Sequence, residues 1–193
     1  MRALLIGNGE TQEAAFLQPL AQQADLILAA DGGADRALSA GGRPDVIIGD
    51  LDSVSPQAKK ILPAEKFIFV NNQNNTDLEK ALDYLIAHQC TQCTLTGFVG
   101  GRWDFTFGNF LSVYPYLDKM DICVAGKGWK IWPLTHSVTK TVRPGARVSQ
   151  SQVIAVHTNL ESVSSLAATR VNQVVKTQMV IAVFGKSHLN SLL

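Results

Sequence analysis

The residues best suited to chemistry in this chain are carboxylates placed beside glycines. Gly49-Asp50-Leu51-Asp52-Ser53 closes the apolar run Val46-Ile47-Ile48 and releases two acids at i and i+2. Asp31 follows the run Leu26 to Ala30 and precedes Gly32-Gly33. Asp77 opens a helical pattern after the run 67–70, and Gly100-Gly101-Arg102-Trp103-Asp104 follows the run 94–98. Several carboxylates facing one another repel unless a cation compensates, and Mg²⁺, a hard ion that prefers oxygen ligands and phosphate, is their natural partner. Gly7 and Gly9, Gly32-Gly33 and Gly100-Gly101 would let backbone N–H groups approach phosphate oxygens closely. Arg102 could hold a phosphate through two parallel hydrogen bonds.

These residues need elements that bring them together. Strand-length apolar runs at 3–6, 26–30, 46–48, 67–70, 94–98 and 122–124 alternate with segments of helical character. That alternation predicts an α/β, Rossmann-like domain with a mostly parallel sheet. Thr76-x-x-Glu79 reads as a capping box, and Leu78, Ala81, Leu82, Leu85 and Ile86 form one apolar stripe behind it. A second helix is expected over Ala34 to Ala40, ending at Gly41-Gly42. A third is expected after Asp104, with Phe107, Phe110, Leu111 and Tyr114 on its buried side. Pro19 suits the first turn of a short helix better than a helix interior. Every acid named above then sits at the carboxyl end of a strand, and in an open parallel sheet those ends share one crevice. Singly, Asp77 and Asp104 would suit helix N-termini and Asp31 a turn; their joint placement is what favours a site. Asp35, Asp45 and Asp83 are expected on the solvated surface.

After about residue 125 the texture changes to short β-rich runs, at 138–142, 153–157, 170–175 and 179–184, with no helix of convincing period. The expected division is therefore an α/β domain over 1–124 and a small all-β domain over 125–193. The junction falls near Ala125-Gly126-Lys127-Gly128.

The bulk composition narrows the function classes. The 193 residues are 46% hydrophobic and 17% charged, which suits a globular chain with a sizeable core rather than a disordered one. A net charge of +1 without a basic cluster gives no nucleic-acid footprint. No apolar run is long enough to cross a bilayer, and Ala3-Leu4-Leu5-Ile6 is too short for a signal-peptide core, so the cytoplasm is the expected compartment. Three cysteines cannot all pair, which favours reduced thiols. Cys90 and Cys93 form a C-x2-C beside His88, but no second cluster supplies a fourth zinc ligand.

Asp31-Gly32-Gly33-Ala34, Pro44 to Ser53, Gln73-Asn74-Asn75-Thr76-Asp77 and Gly100 to Asp104 resemble, in order, the successive motifs of the thiamine pyrophosphokinases. The resemblance spans roughly residues 1–124, and Gly-Asp-x-Asp-Ser is its most specific block. It implies transfer of diphosphate from ATP to the hydroxyl of thiamine with release of AMP, by a homodimer in which 1–124 is the catalytic, ATP-binding domain and 125–193 a small sandwich-like domain for acceptor binding and dimerisation. By the same resemblance, Asp50, Asp52 and Asp77 hold Mg²⁺ and supply catalytic carboxylates. Asp31, Gly32, Gly33, Gln73, Thr76, Arg102 and Asp104 would face the nucleotide. The family usually carries a Ser-Asn pair in its second domain, and this chain has no Ser-Asn dipeptide. Other acceptors, such as a hydroxymethyl pterin, therefore stay open, as do a nucleotide-binding protein without catalysis and metal-assisted phosphoester hydrolysis. Which of Asp50, Asp52 and Asp77 accepts the hydroxyl proton also stays open.

Overall fold

A computed structural model describes residues 1–10, 13–72, 74–135, 146–158 and 174–186, the last two segments by their backbone pairing alone. Six strands run parallel: β1 (Arg2–Ile6), β2 (Leu26–Ala30), β3 (Val46–Gly49), β4 (Phe67–Phe69), β5 (Gln92–Thr96) and β6 (Asp121–Gly126). Three more, β7 (Trp129–Leu134), β8 (Ala146–Thr158) and β9 (Val174–Lys186), extend the sheet antiparallel, giving the order β4-β3-β2-β1-β5-β6-β7-β9-β8. This is the mixed, mostly parallel α/β architecture expected from the alternation of runs. At 127–128 the chain makes a two-residue turn that pairs Gly126 with Trp129, so the parallel part of the sheet passes into the antiparallel part through a hairpin.

Side-chain alternation along β1 divides the core. Ala3 and Leu5 join one buried cluster with Leu78, Ala81, Leu82 and Leu85 of α4 (Asp77–Ala87), while Leu4 and Ile6 join another with Leu17, Ala37 and Ala40. The opposite layer is made by α1 (Ala14–Gln23), α2 (Gly33–Ser39) and α3 (Pro56–Ile61), the last capped by the Ser55 hydroxyl, which accepts from Ala58 N. Strands buried on both faces must read as continuous apolar runs, which is why they were visible in the sequence.

Three local expectations are corrected. Pro19 lies inside α1 rather than in a first turn. It is on the exposed side, where water can serve the Ala15 carbonyl that a proline cannot reach. On α5 (Trp103–Ser112) Phe107 is 62% exposed, not buried. The inward stripe is Thr106, Phe110 and Val113, because the loop before the helix needs polar partners. Thr106 Oγ1 accepts from Gly100 N, and Asn109 Nδ2 donates to the Phe98 carbonyl at 2.7 Å. Asp35 is half-buried rather than solvated: its carboxylate accepts from both the N–H and the hydroxyl of Ser55, tying α2 to the loop that carries Asp50 and Asp52. The runs expected at 138–142 and at 170–173 lie outside the described residues.

Candidate active site

The chain leaves β1, moves outward through β2, β3 and β4, then returns to the other side of β1 to form β5. The order of strands therefore reverses between β1 and β5, and the loops at their carboxyl ends diverge into a crevice. The two loops lie against each other, Gly7 N donating to Thr96 O at 2.8 Å and Gly9 N to Gly97 O at 2.7 Å. Beside them opens a cleft of about 650 Å³, lined among others by Asn8, Glu10, Asp31, Arg36, Ser53, Thr76, Asp77, Arg102, Phe105 and Asn109.

Three of the expected acids meet here. One carboxylate oxygen each from Asp31, Asp50 and Asp77 lie within 4.8 Å of one another, and among the described residues no other group of His, Cys, Asp and Glu converges in this way. Each is delivered by a different element. Asp31 ends β2 with φ +45°, a left-handed conformation that is costly outside glycine and turns the side chain toward β3. Asp50 follows β3 and precedes Leu51, which is also left-handed at φ +61°. Asp77 is the first residue of α4, held by a capping box in which Thr76 N donates to the Glu79 carboxylate at 2.7 Å and Glu79 N donates back to Thr76 Oγ1.

Gly49 explains how the acids come so close. Its φ is +151°, and a Cβ built on it would stand 3.1 Å from both Asp31 Cβ and Asp77 Oδ1. The bare α-carbon is thus the spacer between two of the three carboxylates. Gly33 has a different reason: a Cβ there would approach the Ile6 carbonyl to 2.1 Å, so it lets α2 start against β1.

The cluster is electrostatically loaded. Burial raises the Asp31 carboxyl above the usual carboxylate range, and the negative charges of Asp77 and Asp52 add to this, while the Ser53 hydroxyl and Gly32 N–H pull the other way. Asp31 is 6% exposed, and among the described residues its Oδ1 has no hydrogen-bond donor. A buried carboxylate oxygen without a donor, beside two further acids, is what an oxygen-preferring divalent cation would satisfy. The donor set therefore fits Mg²⁺, with Asp31, Asp50 and Asp77 as the residues to hold it.

The other expected residues are placed around this centre. Asp52 is exposed at its edge, accepting from Ser53 Oγ at 2.9 Å. Arg102 lines the cleft but pairs with Asp104, both side chains mostly exposed, and its guanidinium lies 4.4 Å over the Phe105 ring. That pairing holds Asp104 below the usual carboxylate range. Gln73 lies outside the described residues. Cys90, Cys93 and Cys123 are buried and none is in a disulfide, and His88 stacks on Tyr84 instead of meeting them. Burial pushes the Cys93 thiol up, which leaves it inert as a thiolate ligand. Sequence reasoning missed Asn109, Phe105 and Lys80. Only Lys80 left a signal, its i, i+3 spacing from Asp77.

The family model described as the catalytic domain of thiamin pyrophosphokinase matches residues 17–124, a span that includes all three converging acids. The chain belongs to that family. Thiamine pyrophosphokinase 2 of Oryza sativa subsp. japonica is 31% identical over 148 residues, covering 63% of this chain and 55% of the rice protein. Thiamine pyrophosphokinase 1 of Arabidopsis thaliana is 33% identical over 146 residues, with 63% and 55% covered. The chain thus spans just over half the length of these plant relatives. In fold it is similar to the crystal structure of thiamine pyrophosphokinase from Bacillus subtilis, with TM-score 0.64 and 20% identity, covering 96% of this chain and 99% of that one. The thiamin pyrophosphokinase of Candida albicans gives TM-score 0.67 at 16% identity, with 95% and 88% covered. Among the described residues no helix is long and apolar enough to cross a membrane.

Proposed function

We propose that this protein is a thiamine pyrophosphokinase, transferring the terminal diphosphate of ATP to the hydroxyl of thiamine to give thiamine diphosphate and AMP. The observation that carries the proposal is the convergence of Asp31, Asp50 and Asp77 at the strand-order reversal, inside the span matched by the family. In the reaction the thiamine hydroxyl oxygen forms a bond to the β-phosphorus, and the bond from that phosphorus to the oxygen bridging to the α-phosphate breaks. The oxygen leaves with AMP, and the hydroxyl proton passes to a carboxylate of the cluster. Positioning and charge stabilisation do most of the work in such a transfer. Mg²⁺, held by Asp31, Asp50 and Asp77, would neutralise charge developing on the phosphate oxygens.

The chain's own residues supply the rest. Arg102, free to exchange Asp104 for a phosphate, lines the cleft that would take the polyphosphate. Asp52, exposed beside Ser53, is a second carboxylate within reach of the substrates and is assigned with Asp50 and Asp77 to the catalytic set. Thr76 caps the helix that Asp77 opens, and Thr76 and Gln73 are assigned to the nucleotide by the resemblance to the family. Residues 125–193 are assigned to acceptor binding and to dimerisation, and the working form to a cytoplasmic homodimer. Support for these last assignments is the resemblance to the family.

The test is to incubate the protein with Mg²⁺, ATP labelled at the β-phosphate and thiamine, with a hydroxymethyl pterin in a parallel arm. Label is expected in thiamine diphosphate, with AMP in equal amount. Folded protein that binds ATP and labels no thiamine overturns the proposal, and label in the pterin product reassigns the acceptor.

A further inference from the structure

The side chain of Lys80 is only 5% exposed, and its ammonium donates to Asp77 Oδ1 at 2.8 Å. Lysines are almost never buried this far without a partner that requires them. The first turn of a helix is also the end where the macrodipole disfavours a cation. Its helix neighbours Leu78, Ala81 and Leu82 are apolar core and call for no charge. The acids do call for one, since Asp77 stands within 4.8 Å of Asp31 and Asp50. We propose that Lys80 is a positioning residue and built-in counter-cation of the acid cluster. It fixes Asp77 and cancels part of the cluster's charge, so that a divalent cation binds weakly until phosphate oxygens join it and departs readily with the nucleotide product. This rests on the metal and nucleotide reading of the site given above.

Lys80→Met keeps an unbranched four-atom stem and removes the ammonium with its charge, whereas Lys80→Arg keeps the charge. The measurement is Mn²⁺ binding to the full chain without nucleotide, read by electron paramagnetic resonance. Lys80→Met is expected to bind Mn²⁺ roughly tenfold more tightly than the wild type, because a nearby repelling charge is gone, and Lys80→Arg to return the affinity toward the wild-type value. A side chain that only fills space would leave Mn²⁺ affinity unchanged or weaken it, and that result overturns the inference. If circular dichroism shows Lys80→Met unfolded, Lys80→Gln carries the same comparison. Wild-type protein that binds Mn²⁺ neither alone nor with ATP overturns the metal reading and the inference together. Wild-type protein that binds it, with the neutral variant binding no tighter, overturns the inference alone.

Discussion

Gly49→Ala tests whether the space between the acids is what makes the site. The backbone at φ +151° would carry a side chain in a region that disfavours one, at a cost of about 1–3 kcal/mol. For a chain of this size each kcal/mol lowers the melting temperature by roughly 2–4 °C. The added methyl would also sit 3.1 Å from Asp31 Cβ and from Asp77 Oδ1, so each must recede by a few tenths of an ångström. Mg²⁺ demands near-ideal octahedral geometry at about 2.0–2.1 Å, so spreading its ligands is not absorbed without loss. Mn²⁺ affinity is expected to fall by about tenfold or more, and AMP release by on the order of 10², the scale on which small misplacements act. Gly41→Ala is the control. Gly41 is left-handed at φ +76° but a Cβ there meets nothing within 4 Å, so stability should drop while Mn²⁺ affinity holds. Folded Gly49→Ala protein with wild-type Mn²⁺ affinity would refute the spacer argument.

Asp31→Asn tests the loaded carboxylate. Because its folded pKa is raised, Asp31 favours the folded state most below the unfolded value near 3.8 and loses that advantage as pH rises through the folded value. The amide should therefore melt higher than the wild type at neutral pH without metal, by about 1–3 kcal/mol if the unsatisfied oxygen sets the scale. The gain should vanish below about pH 4 and reverse when Mn²⁺ is added, in melts followed by circular dichroism. Thr76→Ala removes the cap of α4 and should cost about 1 kcal/mol in denaturant unfolding, with a further loss of transfer rate because Asp77 is the next residue. Asp50→Asn should weaken Mn²⁺ binding far more than Asp52→Asn, since only Asp50 stands with Asp31 and Asp77; isothermal titration separates the two, and equal losses would place Asp52 on the metal.

The alternation of buried strands and helices was legible because burial on both faces leaves an unbroken apolar run, as at Leu26–Ala30 and Val46–Ile48. The capping box at Thr76 was legible because its hydrogen bonds join residues three apart. Hydrophobic periodicity places Phe107 inward on α5, but the inward face is chosen by the polar groups of the preceding loop, which that periodicity does not register. Nor does local pattern reveal that Asp35 is half-buried, since its partner Ser55 lies twenty residues away.

The sequence by itself determined the class of chemistry, since acids beside glycines at strand ends imply a cation and phosphate, and the motif order around Gly49-Asp50-Leu51-Asp52-Ser53 implied the family. Only the tertiary structure decided which carboxylates meet. Asp52 was as prominent as Asp50 in the sequence, and Asp31 less so, yet Asp31 joins Asp50 and Asp77 while Asp52 stays at the edge. Nor could the sequence reveal that Lys80 is buried against Asp77. These facts depend on where β2, β3 and α4 converge, on the left-handed backbone at Asp31 and Leu51, and on the bare α-carbon of Gly49 that leaves room between Asp31 and Asp77. Local spacing specifies which groups are available, whereas distances between carboxylates are set by the packing of elements remote in the chain.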